Sequence, residues 1–264
     1  MSTDHTEEAD ALEWFLTGFS ARDLAEPLLS VDEGASDDSV REVLRANRVD
    51  VIGVRVGGII RGWIGQEQFE KGTGANPFHP FEPATLVADS SPLNEVVCLL
   101  NTHPRLFVRA CGQISGCIPR GAIEKPPLRM WLFGLITISE QRVTRLIDRM
   151  FPGDSWQTQM SDGRLAKARE LQTLRQRRGQ RPTLLDCLQF ADKGQIVARN
   201  EALRERTRFN SRSEVERFVK ALQDLRNNLA HAQDIAADWE VIHELGANVH
   251  RIVCGPRDVP ANAT

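Results

Sequence analysis

The feature that most constrains the fold of this chain is a duplication within its first half. Residues 39–64 and 92–118 follow the same order of apolar and polar residues. Each segment predicts an amphipathic helix, a strand rich in Val and Ile, a Gly turn and a second strand. Equivalent positions recur after about 53 residues, the pairs being Val40 and Leu93, Val43 and Val96, and Gly62 and Gly116. Two copies indicate a pseudo-symmetric pair rather than a solenoid.

This duplicated plan resembles a CBS-domain pair over residues 21–145. Residues 37–40 and 89–93 stand where each CBS repeat enters its first helix. The resemblance implies an α+β N-terminal module of two tandem CBS repeats. Such pairs usually act as sensors that bind AMP, ATP or related adenosine ligands between the repeats. A regulatory adenine nucleotide is therefore the ligand that the resemblance implies.

The residues that hold the ribose in many CBS pairs are replaced in this chain. Repeats that bind nucleotides often carry a Thr or Ser three residues after the Gly and an Asp six residues after it. The corresponding residues are Gly65 and Gln68 in the first copy and Pro119 and Ala122 in the second. Two alternatives follow: the module holds its ligand in another way, or it serves only to pair two chains.

Residues 226–231 in the second half are suited to cleaving RNA without a metal ion. Arg226 is a permanent cation whose planar fork fits a phosphate, and His231 can exchange a proton near neutral pH. Asn227 adds an uncharged group that can hold the His or the substrate. On an ideal helix Asn227 and His231 share one face, whereas Arg226 lies about 140° from His231. A second copy facing the first would bring both pairs into one cleft, so the motif predicts a homodimer.

The motif lies at the end of a predicted helix over residues 213–231. Ser213 and Glu216 have the form of a capping box at its start. An apolar stripe at helical spacing defines its buried face, and its members are Phe218, Leu222, Leu225 and Leu229. The motif face is therefore predicted to point away from the stripe, toward solvent or a partner.

Residues 225–232 resemble the signature of the HEPN superfamily, in which an Arg, a polar residue, a short spacer and a His stand late in a helical bundle. The resemblance covers residues 160–250 and implies an all-α, commonly dimeric domain. Many HEPN proteins are metal-independent endoribonucleases of toxin–antitoxin, phage-defence and RNA-processing systems. The resemblance thus implies Arg226, Asn227 and His231 as catalytic residues and RNA as the substrate. It also implies an antitoxin or other regulatory partner, and no metal or cofactor for catalysis.

The predicted organisation has three parts: an acidic tail at residues 1–20, a tandem CBS module with a trailing helix at 21–150, and an all-α HEPN-like bundle at 151–264. Residues 151–154 contain a Pro-Gly break that marks the second boundary. Besides the motif helix, the pattern predicts helices at 162–176, 184–206 and 238–254. Asp192, Lys193 and Glu201 could support the motif, but the sequence does not place them.

The net charge of −3 conceals an asymmetry along the chain. Residues 1–40 carry eleven acidic residues and one Arg, whereas residues 164–234 carry sixteen Lys or Arg and nine Asp or Glu. Excess positive charge around the motif suits an anionic partner such as RNA. Solvated faces of Arg-rich helices account for the same charges, so this observation supports the hypothesis without deciding it.

The five Cys residues form no CxxC pair and no metal-finger spacing, which indicates reduced thiols in a cytoplasmic protein. Cys98, Cys111 and Cys117 fall at apolar positions that are typical of small core residues. No signal peptide is predicted, and the longest apolar run, residues 130–138, is too short to span a membrane. No clustered ligands predict a metal site.

Together these patterns predict a metal-independent endoribonuclease that a CBS pair regulates or dimerises. In this hypothesis the 2′-hydroxyl of RNA attacks the neighbouring phosphate, and His231 moves protons. Arg226 stabilises the charge that builds on phosphorus, and Asn227 orients the reacting groups. The alternative is a non-catalytic protein in which the CBS pair senses a metabolite and an inactive helical domain binds a partner.

Overall fold

The structure is a computed structural model that describes residues 15–67, 79–207 and 209–254, with side chains up to residue 247. The chain divides into two compact units between Leu128 and Arg129. Of the tail predicted at residues 1–20, residues 1–14 lie outside the described residues. Leu16 and Ser20 are buried, so the last part of the predicted tail belongs to the N-terminal unit. Gln68 also lies outside the described residues.

The described part of the N-terminal unit contains two four-stranded sheets, with helices before and between their strands. The strands are β1 (Glu26–Pro27), β2 (Ser30–Asp32), β3 (Val51–Val56), β4 (Ile59–Gly65), β5 (His79–Pro80), β6 (Leu86–Ala88), β7 (Arg105–Ala110) and β8 (Gln113–Pro119). The helices are α1 (Ala21–Leu24), α2 (Asp37–Asn47) and α3 (Leu93–Thr102). The sheet orders are β2-β3-β4-β5 and β1-β8-β7-β6.

The two copies of the repeat have matching strand pairing. In the first, β2 is parallel to β3 and β3 is antiparallel to β4; in the second, β6, β7 and β8 pair in the same way. Each hairpin shifts register at one place, after Val54 and after Val108. The duplicated helix–strand–turn–strand plan is therefore confirmed. Its physical basis is the Gly-containing turn, since both turn residues of each hairpin have positive φ.

The second of these turns corrects one expectation about the Cys residues. Cys111 has a φ of 49° and is exposed in the turn, so its predicted role as a small core residue is wrong. Cys98 is half-buried and Cys117 is buried. Both of these, with Cys111 and Cys187, are free thiols. The cytoplasmic location that the Cys pattern suggested stays a prediction.

The two copies form one unit because a strand before the first copy joins the sheet of the second, and because residues of both sheets share a core. β1 precedes the first copy in sequence but pairs with β8 of the second. Phe107 of β7 packs against Trp63 of β4, with ring centroids 5.5 Å apart, and against Phe81 at 4.7 Å. Pairing between two strands that are far apart in sequence, together with an aromatic cluster, therefore holds the repeats together.

The second unit is helical. Its elements are α4 (Pro126–Met150), α5 (Asp162–Arg177), α6 (Phe190–Arg199), α7 (Glu201–Thr207), α8 (Arg212–Ala230) and α9 (Trp239–Cys254). The division at Leu128 and Arg129 falls within α4, whereas the sequence predicted a boundary at residue 150. The later part of α4 belongs with the helices because Ile147 is buried in their core with Trp156 and Leu165.

The helix predicted at 184–206 begins only at Phe190, and two further predicted limits are wrong because of N-caps. The helix predicted at 184–206 is interrupted at Asn200, whose backbone is extended and whose side chain accepts a hydrogen bond from the Leu203 amide at 3.0 Å. The motif helix begins after Ser211 rather than at Ser213, because the Ser211 hydroxyl accepts from the Glu214 amide at 3.2 Å. Asn and Ser are strongly favoured at N-caps, where they satisfy amides that the helix leaves unpaired.

Helices α6 and α8 pack closely at Gly194. A Cβ atom at this position would lie 2.7 Å from Val219 of α8, a distance that side chains do not tolerate. Within the residues that the structure describes, no helix is long and apolar enough to cross a membrane. The same residues contain no group of three or more His, Cys, Asp or Glu that could hold a metal ion.

Candidate functional site

The sequence motif lies on the solvent side of α8 at its carboxyl end. His231 is the residue that caps the helix, with φ of −100° and ψ of 12°. Asn227 and His231 are exposed, whereas Leu222 and Leu225 are buried on the other side. The face on which the sequence placed the motif is therefore the exposed face, as the apolar stripe requires.

Arg226 lies beside a carboxylate that also binds a second cation. Its Nη1 atom is 3.7 Å from Oε2 of Glu140, and its side chain is 35% exposed. The Nζ atom of Lys193 donates to Oε1 of Glu140 at 3.0 Å. A separation of 3.7 Å exceeds the range of a hydrogen bond, so the attraction between Arg226 and Glu140 is electrostatic. This attraction orients the guanidinium group of Arg226 without occupying its N–H donors.

Lys193 connects this cluster to the interior of the helical unit. Its side chain is only 5% exposed, and a buried ammonium group requires a charged partner. The adjacent Asp192 is also buried, and its carboxylate pairs with Arg164. Of the three supporting residues that the sequence could not place, Lys193 therefore reaches the motif through Glu140. Asp192 faces Arg164 instead, and Glu201 is exposed at the start of α7.

Hydrogen bonds from side chains hold the chain on both sides of His231. The guanidinium group of Arg129 donates to the carbonyl oxygens of Asn228, at 3.2 Å, and Gln233, at 2.9 Å. The side-chain amide of Asn228 donates to Asp238 at 2.8 Å. Of the two neighbouring Asn residues, Asn228 thus has a structural partner, whereas Asn227 is the exposed one. Sequence reasoning missed both Arg129 and Glu140, because only the packing of α4 reveals their partners.

A second candidate site is a cleft of about 280 Å³ in the N-terminal unit. It lies where the ends of β1, β3, β7 and β8 meet, so both copies of the repeat contribute to it. Its charged lining residues are Glu26, Arg48, Asp50, Arg105 and Arg120. Pro119 also lines the cleft, whereas Ala122 is buried. The ribose-binding position that the CBS resemblance implied for the second copy therefore has no carboxylate.

Arg105 is the most distinctive residue of this cleft. Its guanidinium group lies 5.0 Å from the centre of the Trp63 ring and 3.2 Å from Glu67. Its Nη1 atom is buried and has no hydrogen-bond acceptor among the residues that the structure describes. A buried cationic donor without an acceptor costs free energy. Such an atom in a cleft indicates a place where an anion would be stabilised.

The other charged groups differ in how far the protein already uses them. Arg120 donates to the carbonyl oxygens of Leu100 and Asn101, both at 2.9 Å, and so holds the end of α3. Glu26 is neutralised by Lys125 at 2.9 Å. Arg48 is exposed after α2, in the left-handed conformation.

Cys117 also lines the cleft, and burial raises the pKa of its thiol to about 12. The cleft therefore presents an uncharged thiol at neutral pH. No thiolate is available there to repel an anion.

No family model and no curated protein matches this chain. It is similar to the solved structure of CBSX2 in complex with AMP, at 22% identity, covering 43% of this chain and 98% of that one with a TM-score of 0.35. CBSX2 from Arabidopsis thaliana matches at 22% identity, over 42% and 96%, with a TM-score of 0.35. The CBS domain of a membrane protein from Sphaerobacter thermophilus matches at 14% identity, over 46% and 96%, with a TM-score of 0.37.

All three are CBS-domain structures, and each is covered almost completely while this chain is covered by less than half. The strand pairing of this chain itself defines its N-terminal fold.

Proposed function

We propose that the N-terminal unit binds an adenine nucleotide in its cleft and that this ligand regulates the helical unit. The observation that carries the proposal is the buried Nη1 atom of Arg105, which lacks an acceptor among the described residues. A phosphate group would supply charged oxygen acceptors to this donor. One of the similar structures, CBSX2, was solved in complex with AMP, and a nucleotide is the source of phosphate that we propose for this chain.

The lining residues suggest how the rest of the nucleotide would be held. The volume of about 280 Å³ is near the lower end of the range for ligand pockets, about 300–1,000 Å³, so a mononucleotide fits better than a dinucleotide. Arg48 is exposed at the rim and can approach a phosphate. Asp50 is the lining carboxylate that Lys125 does not neutralise. It would take the place of the missing ribose-binding Asp.

Isothermal titration calorimetry with AMP, ADP and ATP tests this proposal. Wild-type protein should bind at least one of them, and Arg48→Ala should weaken binding about 10-fold or more, because a charge-assisted hydrogen bond is lost. Arg105→Met should weaken it further. Arg109→Met is the matched control, since Arg109 is exposed on the same strand and does not line the cleft. Absence of binding by the wild type, or equal effects of all three variants, would contradict the proposal.

The second part of the proposal is that the helical unit cleaves RNA without a metal ion. The observation that favours it is the combination of an exposed His231 and Asn227 with an Arg226 whose donors Glu140 does not occupy. Arg226 and His231 of one chain do not form an enclosed site by themselves. A homodimer that places two copies of α8 face to face would supply the second acid–base group. An antitoxin or other regulatory partner would act by covering the same exposed face.

The proposed reaction is an internal transfer of the phosphate. His231 of one copy takes the proton of the 2′-hydroxyl, and the 2′-oxygen forms a bond to phosphorus. The bond from phosphorus to the 5′-oxygen breaks, and the protonated His231 of the second copy gives its proton to this leaving oxygen. Arg226 stabilises the phosphorane charge. The products are a 2′,3′-cyclic phosphate and a 5′-hydroxyl, so DNA should not be cleaved.

Cleavage of a labelled RNA in the presence of a chelator tests this reaction. His231→Ala and Arg226→Ala should each reduce the rate about 100-fold or more, as expected when a general acid–base or a charge-stabilising group is removed. His243→Ala and Arg217→Ala are controls of the same residue types in the same unit. RNA that stays intact with the wild type, with or without nucleotide, would instead favour the non-catalytic sensor.

A further inference from the structure

One face of α4 contacts the motif at two separate places. Arg129 and Glu140 are eleven residues apart, which is three helical turns and places them on the same side within about 20°. Arg129 holds the backbone on both sides of His231, and Glu140 lies beside Arg226. Both chemical components of the motif thus depend on a single helix.

The contact made by Arg129 stabilises the exposed end of α8. The last carbonyl groups of a helix have no partners within the helix and carry partial negative charge. The Asn228 carbonyl accepts from the Gln233 amide at 2.8 Å as well as from Arg129. A cation at this point therefore fixes the turn that follows the helix, and His231 is part of that turn.

The contact made by Glu140 draws the guanidinium group of Arg226 toward one carboxylate oxygen. The buried Lys193 holds one carboxylate oxygen at 3.0 Å, so Glu140 cannot rotate freely. Its other oxygen is then presented to Arg226 at 3.7 Å. Arg226 would otherwise be a long side chain with many rotamers at the surface.

We infer that Arg129 and the Glu140–Lys193 pair are positioning residues that preorganise Arg226 and His231 for the reaction. The inference rests on the proposed RNA cleavage for its kinetic consequence, but the geometric part does not. Loss of the pair would leave Arg226 chemically intact and able to bind phosphate, while its guanidinium group would no longer be held in one direction. The turnover number should therefore fall while the substrate affinity is nearly unchanged.

The kinetic experiment uses the Glu140→Gln/Lys193→Met double variant, which removes both charges of the pair and leaves no buried ammonium group unpaired. Its kcat should fall about 10- to 100-fold, as expected for misplacement of a reacting group by about 1 Å, while KM changes less than about 3-fold. Arg129→Met should have a smaller effect of the same kind. The single variant Glu140→Asp, which keeps the charge, should retain more activity than the double variant. Arg212→Met is the control, since its partner Glu216 is on the exposed surface of the same helix.

A second measurement separates this inference from the proposed reaction. Arginine Nε–H relaxation by NMR reports the order of the Arg226 side chain whether or not RNA is cleaved. Arg226 should be ordered in the wild type and mobile in the double variant, with thermal unfolding confirming that both proteins are folded. Equal Arg226 order in the two folded proteins, or an unchanged kcat in an active enzyme, would overturn the inference. If the wild type does not cleave RNA, the proposed reaction fails while the NMR comparison still decides the positioning.

Discussion

In the N-terminal unit the candidate cleft is lined by strand ends from both copies of the repeat, whereas in the helical unit the motif lies at the exposed end of one helix. The cleft contains Arg105, which is largely buried, and Cys117, which is buried. The motif presents Asn227 and His231 to solvent. The internal duplication thus supplies two walls of a site from one chain. Among the described residues the helical unit shows no such duplication, and in the proposed reaction its motif would need a second surface to become a site.

The sharpest test of this difference is to compare how fast Cys117 and Cys111 are alkylated. Burial raises the pKa of Cys117 to about 12, so almost none of this thiol is ionised at pH 8, whereas about one quarter of an ordinary Cys is. Iodoacetamide at pH 8 should therefore leave Cys117 unmodified while the exposed Cys111 reacts. Peptide mass spectrometry measures both in one sample. Similar rates for the two thiols would show that Cys117 is not shielded by the fold.

The close packing of α6 on α8 should make the helical unit sensitive to one added methyl group. Gly194→Ala would place Cβ 2.7 Å from Val219 and should destabilise the unit by about 1–3 kcal/mol through overpacking. Thermal or urea unfolding measures this change, and nucleotide binding by the cleft should stay the same. Gly163→Ala is the control, since no atom lies within 4 Å of its Cβ. A neutral Gly194→Ala would show that the α6–α8 contact is loose.

Dilution should affect the two sites differently. Below the dissociation constant of the dimer, the dimer fraction is proportional to concentration, so RNA cleavage per chain should fall about 10-fold for each 10-fold dilution. Nucleotide binding per chain should not change, because one chain forms the whole cleft. Sedimentation velocity over the same concentrations would locate the dimer. Cleavage that stays constant per chain while the protein is monomeric would remove the need for a second copy.

The smallest expected effect concerns the charge balance of the cleft. Glu26→Gln removes a lining carboxylate that Lys125 holds at 2.9 Å, which leaves a cation beside the bound phosphate. Nucleotide affinity should rise about two- to five-fold at low salt, and the gain should diminish as salt screens it. Glu95→Gln, on the exposed side of α3, should have no effect. A weaker affinity for Glu26→Gln would mean that Glu26 itself contacts the ligand.

Local patterns predicted the elements on which both sites are built. The repeated order of Val, Ile and Gly residues predicted the two hairpins, and the stripe through Leu222 and Leu225 predicted which face of α8 is buried. These predictions succeed because side-chain periodicity reports directly on which face of an element meets the core. The helix limits were less accurate, since Ser211 competes as a cap with Ser213, and Asn200 interrupts a pattern that reads as one continuous helix.

The partners of the motif could not be predicted in this way. Glu140 precedes Arg226 by 86 positions and Lys193 precedes it by 33, and no spacing rule joins residues so far apart. The role of Arg105 could not be predicted either, because its buried Nη1 donor results from packing and no sequence pattern indicates it. The spacing of Arg226, Asn227 and His231 predicted which groups could react. Which carboxylate orients Arg226, and which cation holds the turn at His231, depends on how α4, α6 and α8 pack, because only packing brings charges from distant segments within range of one another.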